Sequence, residues 1–259
     1  MIQIADITIN VTAHEAQVRQ ARFAARNTDL ELSGTIPFEA RRAADLAVKG
    51  NVNLLILQLL NPDLLAKGNA EVAATIRGSI RNPQLSGRMT LANASLYLVD
   101  VPSGIDSANG VILFDRNRAT ISNLTAETGG GTMSLKGFVE FGDTLIYRLQ
   151  ADVRQVRVRY PADVSTTANG QLSLNGTPDV STLSGLLTVN RASVAAGADF
   201  ARIIASTVTP SSGGTESGYF KGLRFDVHIE SSPTFEFETS LTRNVQALRS
   251  EEHTSELQS

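Results

Sequence analysis

No cysteine occurs in the 259 residues of this chain. That excludes disulfide staples, thiolate nucleophiles and cysteine-based zinc sites. Tryptophan is absent too, and 10 Phe with 4 Tyr leave little aromatic surface for stacking nucleobases. The 23 basic and 26 acidic residues give a formal charge of −3, and no Lys/Arg block exceeds a pair, so an electrostatic footprint for nucleic acid is missing. Long apolar runs are missing as well. The longest, residues 54–60, is interrupted by Gln58 and falls far short of the roughly 20 residues that cross a bilayer. The opening MIQIADITIN alternates apolar and polar residues, whereas a secretory signal needs a basic start and a continuous apolar stretch. On this reading any export signal or membrane anchor lies outside the chain.

Catalytic signatures are equally scarce. The three histidines, His14, His228 and His253, are far apart in sequence, and neither a Gly-x-Ser-x-Gly elbow nor a His-Glu-x-x-His helix occurs. Carboxylates such as Asp226, Glu236 and Glu238 fall on the polar positions of alternating runs, which is how a solvated face reads. The expectation is a protein that is not an enzyme, with no catalytic residues, no cofactor and no metal site.

What the chain does contain is alternation. Met133 and Leu135, then Tyr147, Leu149, Ala151 and Val153, then Val156, Val158 and Tyr160, then Leu172 and Leu174 are separated by polar neighbours. Leu223, Phe225, Val227 and Ile229, followed by Phe235 and Phe237, continue the pattern. Period two is the mark of strands with one buried face. Between Val153 and Val156 the parity switches, so either a bulge near Arg154 and Gln155 or a break between strands must reset the face, and a bulge or corner is the favoured reading. Three stretches carry good helix formers: residues 13–26, residues 39–47, and residues 53–60, the last a short turn ended by Asn61, Pro62 and Asp63. Strand outweighs helix by far.

The stretch ETGGGTMSLKGF, residues 127–138, superficially offers a phosphate cradle. In a phosphate-binding loop the lysine directly follows the last glycine and Ser or Thr opens a helix, whereas here Lys136 precedes Gly137 and the strand-like Phe138, Val139, Glu140 and Phe141 follow. The glycines instead read as a strand junction. Two longer stretches superimpose without gaps: ATIRGSIRNPQLSGRMTLANASL from Ala74 and LSLNGTPDVSTLSGLLTVNRASV from Leu172. Gly78 falls on Gly176, Leu85-Ser86-Gly87 on Leu183-Ser184-Gly185, and Ala94-Ser95 on Ala192-Ser193, at a constant offset of 98 (185 − 87). A repeated unit of paired strands implies an elongated sheet or solenoid whose neighbouring units cover one another.

At these residues the chain resembles the TamB and wider AsmA-like family of envelope proteins. The cadence of strand, glycine, proline-containing linker, Leu-Ser-Gly and second strand is similar to that family's repeats. GGGTMSLKGFVEF and LRFDVHIESSPTFEFETS resemble two of its recurring phrases. The likeness runs from about Leu30 to Leu248. It implies a mainly β fold: an elongated, curved sheet shaped like a taco shell, solenoid-like, built from repeated strand pairs with few short helices. It further implies a segment of a bridge across the periplasm, part of an inner-membrane-anchored protein whose anchor is missing here. Such bridges are implicated in phospholipid transport and outer-membrane protein assembly. The implied partners are phospholipid acyl chains and, through regions outside this chain, an outer-membrane barrel of the TamA type. Residues 249–259, RSEEHTSELQS, resemble the translation of a short-read sequencing adapter and are read as an artefact, leaving 1–248 as a fragment of the β-repeat region. Without Arg249, Glu251, Glu252 and Glu256 the formal charge becomes −1.

A phospholipid with about 30 acyl methylenes, each worth about 0.8 kcal/mol, faces a penalty on the order of 25 kcal/mol on crossing water. An apolar trough lined by alternate residues removes most of it. Leu172, Leu174, Leu187, Val189, Leu223, Phe225, Val227, Phe235 and Phe237 are the lining candidates. Periodicity alone leaves a second reading open, in which the same side chains fill the dry core of a structural or adhesive β-solenoid, such as an exported passenger-type domain. The two differ in whether the apolar face has an opposite wall.

Overall fold

A computed structural model describes residues 3–25, 27–39, 42–59, 62–79, 82–98, 103–159, 163–195, 222–239 and 245–246. Tyr160 and the stretch 249–259, read from the sequence as an artefact, lie outside the described residues. The chain builds one open, curved sheet of fourteen strands whose order along the sheet is their order in the sequence. β1 is Gln3–Val11, β2 Glu15–Ala25, β3 Thr28–Pro37, β4 Ala44–Asn53, β5 Leu64–Ser79, β6 Asn82–Leu98 and β7 Ile105–Arg116. β8 is Arg118–Thr128, β9 Gly131–Glu140, β10 Ile146–Arg159, β11 Val164–Gly176, β12 Ser181–Val194, β13 Leu223–Thr239 and β14 Val245–Gln246. Every neighbouring pair is antiparallel except β12 and β13, which run parallel. A parallel pair needs a crossover of a dozen or more residues, and the chain between Val194 and Leu223 is long enough for one.

Short turns set the registers. Thr128 opposes Gly131, so Gly129 and Gly130 alone form the β8–β9 turn, with φ of 56° and 79°. Positive φ at both central residues is the requirement of the tightest hairpin turn, and glycine meets it without strain. The glycine run is thus a strand junction. The internal repeat is equally visible. Ala74 opposes Gly87 and Ile76 opposes Leu85 in β5–β6; 98 residues on, Leu172 opposes Gly185 and Leu174 opposes Leu183 in β11–β12.

The parity switch in β10 is a bulge. Pairing with β11 slips between Val153 and Val156, and Gln155 takes a φ of 54°. Asn169 Oδ1 accepts the Gln155 backbone N–H at 2.7 Å, giving a partner to a donor the ladder has lost. A similar device serves β6, where Asn93 (φ 49°) donates its N–H to Asn109 Oδ1 at 3.0 Å. Other slips occur at Val18/Ala21 in β2, Asp106/Asn109 in β7 and Ile121/Leu124 in β8. Each extra residue bends its strand and increases the local twist, which is how a flat ladder becomes a curved sheet.

Two helical expectations are overturned. Of residues 13–26, Glu15–Ala25 form β2, and of residues 39–47, 44–47 open β4. In β2 the bulge after Val18 places the next inward residue at Ala21, three positions on, so a bulged strand imitates helical spacing. Sheet pairing on both sides then overrides weak helix propensity. The third expectation survives as a 3₁₀ helix, Leu54–Leu59. Asn53 Oδ1 accepts the Leu55 N–H at 3.0 Å, capping its start.

Buried apolar residues number thirteen among the described residues; nine are alanines, and only Val18, Leu54, Leu124 and Val156 are larger. No large side chain is fully buried. Among the described residues that inventory is not the one a closed sandwich or solenoid core would have.

Candidate functional site: an uncovered apolar face

Residues directly opposed across a ladder point to the same side of the sheet, so the pairing can be followed from strand to strand. Beginning at β1, Ile4 opposes Phe23, which opposes Leu30, then Gly50, Val72, Met89 and Ile112 in turn. From Ile112 the row continues through Ile121, Gly137, Leu149, Leu174 and Leu183 to Phe225 on β13. One residue from each of thirteen strands stands in this row, and none is polar. With strands about 4.8 Å apart, the row is on the order of 58 Å long.

All nine lining candidates share this face. Leu174 and Phe225 belong to the row itself. Leu172 and Val227 oppose Gly185 from either side, while Leu187 opposes Gly170 and Ile229, and Val189 opposes Ala168. Leu223 faces Ser181, Phe237 faces Ala192, and Phe235 stands two residues before Phe237 on the same strand. Their side chains are only partly covered: Phe225 keeps 70% of its surface accessible, and Ile229 on the same side of β13 keeps 63%. Among the described residues, the one element folded onto this face is the short helix Leu54–Leu59, which seats Leu54 in a cluster with Ala66, Ala70, Ala94, Ala108, Leu124 and Ala126.

That cluster locates the deepest part of the face. Ala66 and Ala70 have no accessible surface and flank Gly68, opposite the bulge in β6, while Ala94, Ala108 and Ala126 stand beside the slips in β6, β7 and β8. Small side chains stand where bulges bend the strands and the larger ones, such as Met89, Leu91 and Leu135, pack around them. This apolar side, with its alanine floor under the helix, is termed the inner face, and the opposite side the outer face.

The outer face has different chemistry. Oppositely charged residues stand directly across the ladder: Lys49 and Glu31 at 3.0 Å, Arg77 and Asp45 at 3.3 Å, Arg118 and Glu140 at 2.9 Å, Arg191 and Glu236 at 2.9 Å. Exposed pairs of this kind contribute about 0.2–1 kcal/mol each and mainly fix which side meets water. Arg22 grips both oxygens of Asp29 at 2.7 and 2.6 Å. Those hydrogen bonds, with the attraction between the charges, hold the Asp29 carboxyl below its ordinary pKa and raise that of Arg22. The Tyr97 hydroxyl donates to Asp106, which raises the phenol's pKa, and the Lys67 ammonium lies 5.9 Å from the Tyr97 ring centre. Two open hollows of about 640 and 580 Å³ also lie on this outer side, one walled by Asn109, Thr125, Ser134 and Asp152, the other by Gln155, Asn169 and Arg191. They follow the outer side of the bulges, and the asparagines in them are already engaged with the backbone. Among the described residues no group of three or more His, Asp or Glu is placed to hold a metal ion, and no helix is long and apolar enough to cross a membrane.

A family model of the TamB C-terminal domain matches residues 17–124 and again 122–247. The chain belongs to the TamB family. No curated protein and no solved structure matches it. As a TamB protein it is an envelope-associated component of the translocation and assembly module. The two matched stretches take in β2 through β14, so the TamB match and the uncovered apolar face cover nearly the same strands. The apolar row extends well beyond the sequence candidates, all of which lie on β11 to β13. Leu30 and Leu32, or Leu46 and Val48, carry the same alternation in the N-terminal half. The alanine floor gave no such signal, because alanine beside a bulge reads as a helix former.

Proposed function

We propose that the uncovered face is an apolar trough along which phospholipid acyl chains move, within a TamB-type bridge across the periplasm that also serves outer-membrane protein assembly. The observation that carries the proposal is the row from Ile4 to Phe225, with no polar residue at any of its thirteen positions. A single acyl chain spans about 15 Å, half the hydrocarbon thickness of a bilayer. A row on the order of 58 Å long is several times that, which suits a path better than a pocket for one ligand. Leaving side chains such as Phe225 and Ile229 open to water has a cost of about 25 cal/mol per Å². A partner of apolar chemistry removes that cost and accounts for its persistence. Contact with a TamA-type barrel is assigned to parts of the protein outside this chain.

Site-specific photocrosslinking tests the reading. A benzophenone side chain at Phe225 or Phe237 should capture phospholipid in an envelope that produces the protein. The same probe at Leu186, which is exposed on the outer face, should capture little. Equal capture at inner and outer positions, or none at Phe225 and Phe237, refutes the trough.

A further inference from the structure

The helix Leu54–Leu59 has the sequence LLILQL, with one polar residue in six. A helix that is apolar on every side calls for apolar contact all round. Leu54 is buried in the alanine floor and Leu57 packs against the same cluster, which accounts for one side. Leu55, Ile56 and Leu59 point elsewhere and stay exposed, Leu59 to 79%. The placement follows from local rules. β4 ends at Asn53, which opposes Asn69, so residues 64–68 of β5 have no β4 partner. Asn53 donates its N–H to Thr28 Oγ1 at 3.0 Å and caps the helix with its own side chain, turning the chain onto the inner face where β4 stops.

We propose that this helix is a tethered constriction of the trough: Leu54 and Leu57 occupy the alanine floor between β5 and β8, and an acyl chain reaches that floor only when the helix lifts. The inference rests on the lipid reading above and adds a control point to it. The floor is the place where such a device is effective. Ala66 and Ala70 are the most enclosed residues of the face, and the helix is packed on them, so the segment seated there bars the floor to any other apolar chain. The exposed leucines on the helix's outer side offer arriving acyl chains a surface against which the helix is exchanged, apolar contact for apolar contact.

The test uses the full chain with a diacyl phosphatidylethanolamine bearing a photoreactive acyl tail, the crosslinked peptides being mapped by mass spectrometry. In the native protein, crosslinks should concentrate on β10 to β13, around Leu172 and Phe225, and be at least fivefold rarer on the floor at Ala66, Ala70 and Ala94. Leu54→Ser with Leu57→Ser should raise the floor-to-distal ratio at least fivefold, and a second variant with residues 54–59 replaced by a Gly-Ser linker should do the same. Floor and distal crosslinks of equal frequency in the native protein overturn the constriction while leaving the trough intact, and this arm needs no variant to fold. An unchanged ratio in both folded variants overturns it as well. No crosslinks on the inner face of any protein overturn the trough and the constriction together.

Discussion

Replacing Gly185 by alanine should uncouple β11 from β12 locally, and the size of the effect follows from two distances. Gly185 has a φ of 146°, outside the regions open to L-residues. A Cβ there would lie 2.1 Å from the Gln171 carbonyl oxygen and 3.0 Å from Leu172 Cα, where ordinary contact begins near 3.4 Å. Both obstacles are backbone, so no rotamer change relieves them, and the two strands must part by more than an ångström. Backbone strain of about 1–3 kcal/mol and one or two weakened ladder hydrogen bonds at about 1 kcal/mol each give about 3 kcal/mol. Because each strand touches mainly its sheet neighbours, the loss should stay local. Hydrogen exchange is the assay: amides of β11 and β12 should exchange about 10²-fold faster, those of β2 to β5 at their native rate. Ser184→Ala, one residue away on the outer face, serves as control. Protection of β11 and β12 within threefold of native in Gly185→Ala refutes the argument from close approach.

Three further outcomes follow from the same geometry. In the two-glycine turn, Gly129→Ala should cost about 2 kcal/mol more than Gly130→Ala in denaturant unfolding, since a Cβ at Gly129 meets the Arg157 carbonyl oxygen at 2.2 Å whereas the space at Gly130 is open; equal costs contradict it. The Asp29 carboxyl, held below its ordinary value by Arg22, contributes stability that is present above the unfolded pKa near 3.8 and is lost as pH falls through the lower folded value. Asp29→Asn should flatten that part of the acid limb, and an NMR titration placing Asp29 at or above 3.8 rules the effect out. The chain in detergent-free buffer should self-associate through its uncovered inner face, and a monodisperse monomer in light scattering at micromolar concentration argues against an open face.

How far the sequence reaches can be judged from particular segments. The alternation of Leu223, Phe225, Val227 and Ile229 places four side chains on one side of β13, and the structure has them there. The parity switch after Val153 is a bulge, and the three glycines of residues 129–131 belong to a hairpin turn with its following strand. Residues 13–26 misled because a bulge inserted into alternation produces a three-residue step. The N-terminal half of the apolar row stayed unread for a related reason. Its strands alternate in pairs such as Leu30 and Leu32 before a glycine or a slip interrupts them.

Residue order alone determines that this chain is β-rich, that its strands are paired in a recurring unit, and that it has no disulfide, no metal-binding cysteine and no recognisable catalytic motif. These follow from local chemistry, from side chains that alternate and glycines that turn. Only the tertiary structure decides that Phe23, Met89, Leu149 and Phe225 stand on one shared surface, because period two says which residues of a strand lie together but not which side of the next strand they meet. Turn geometry and bulges set that register strand by strand. Whether the surface is covered depends on a second layer that no local pattern encodes, and over most of this face none is present among the described residues.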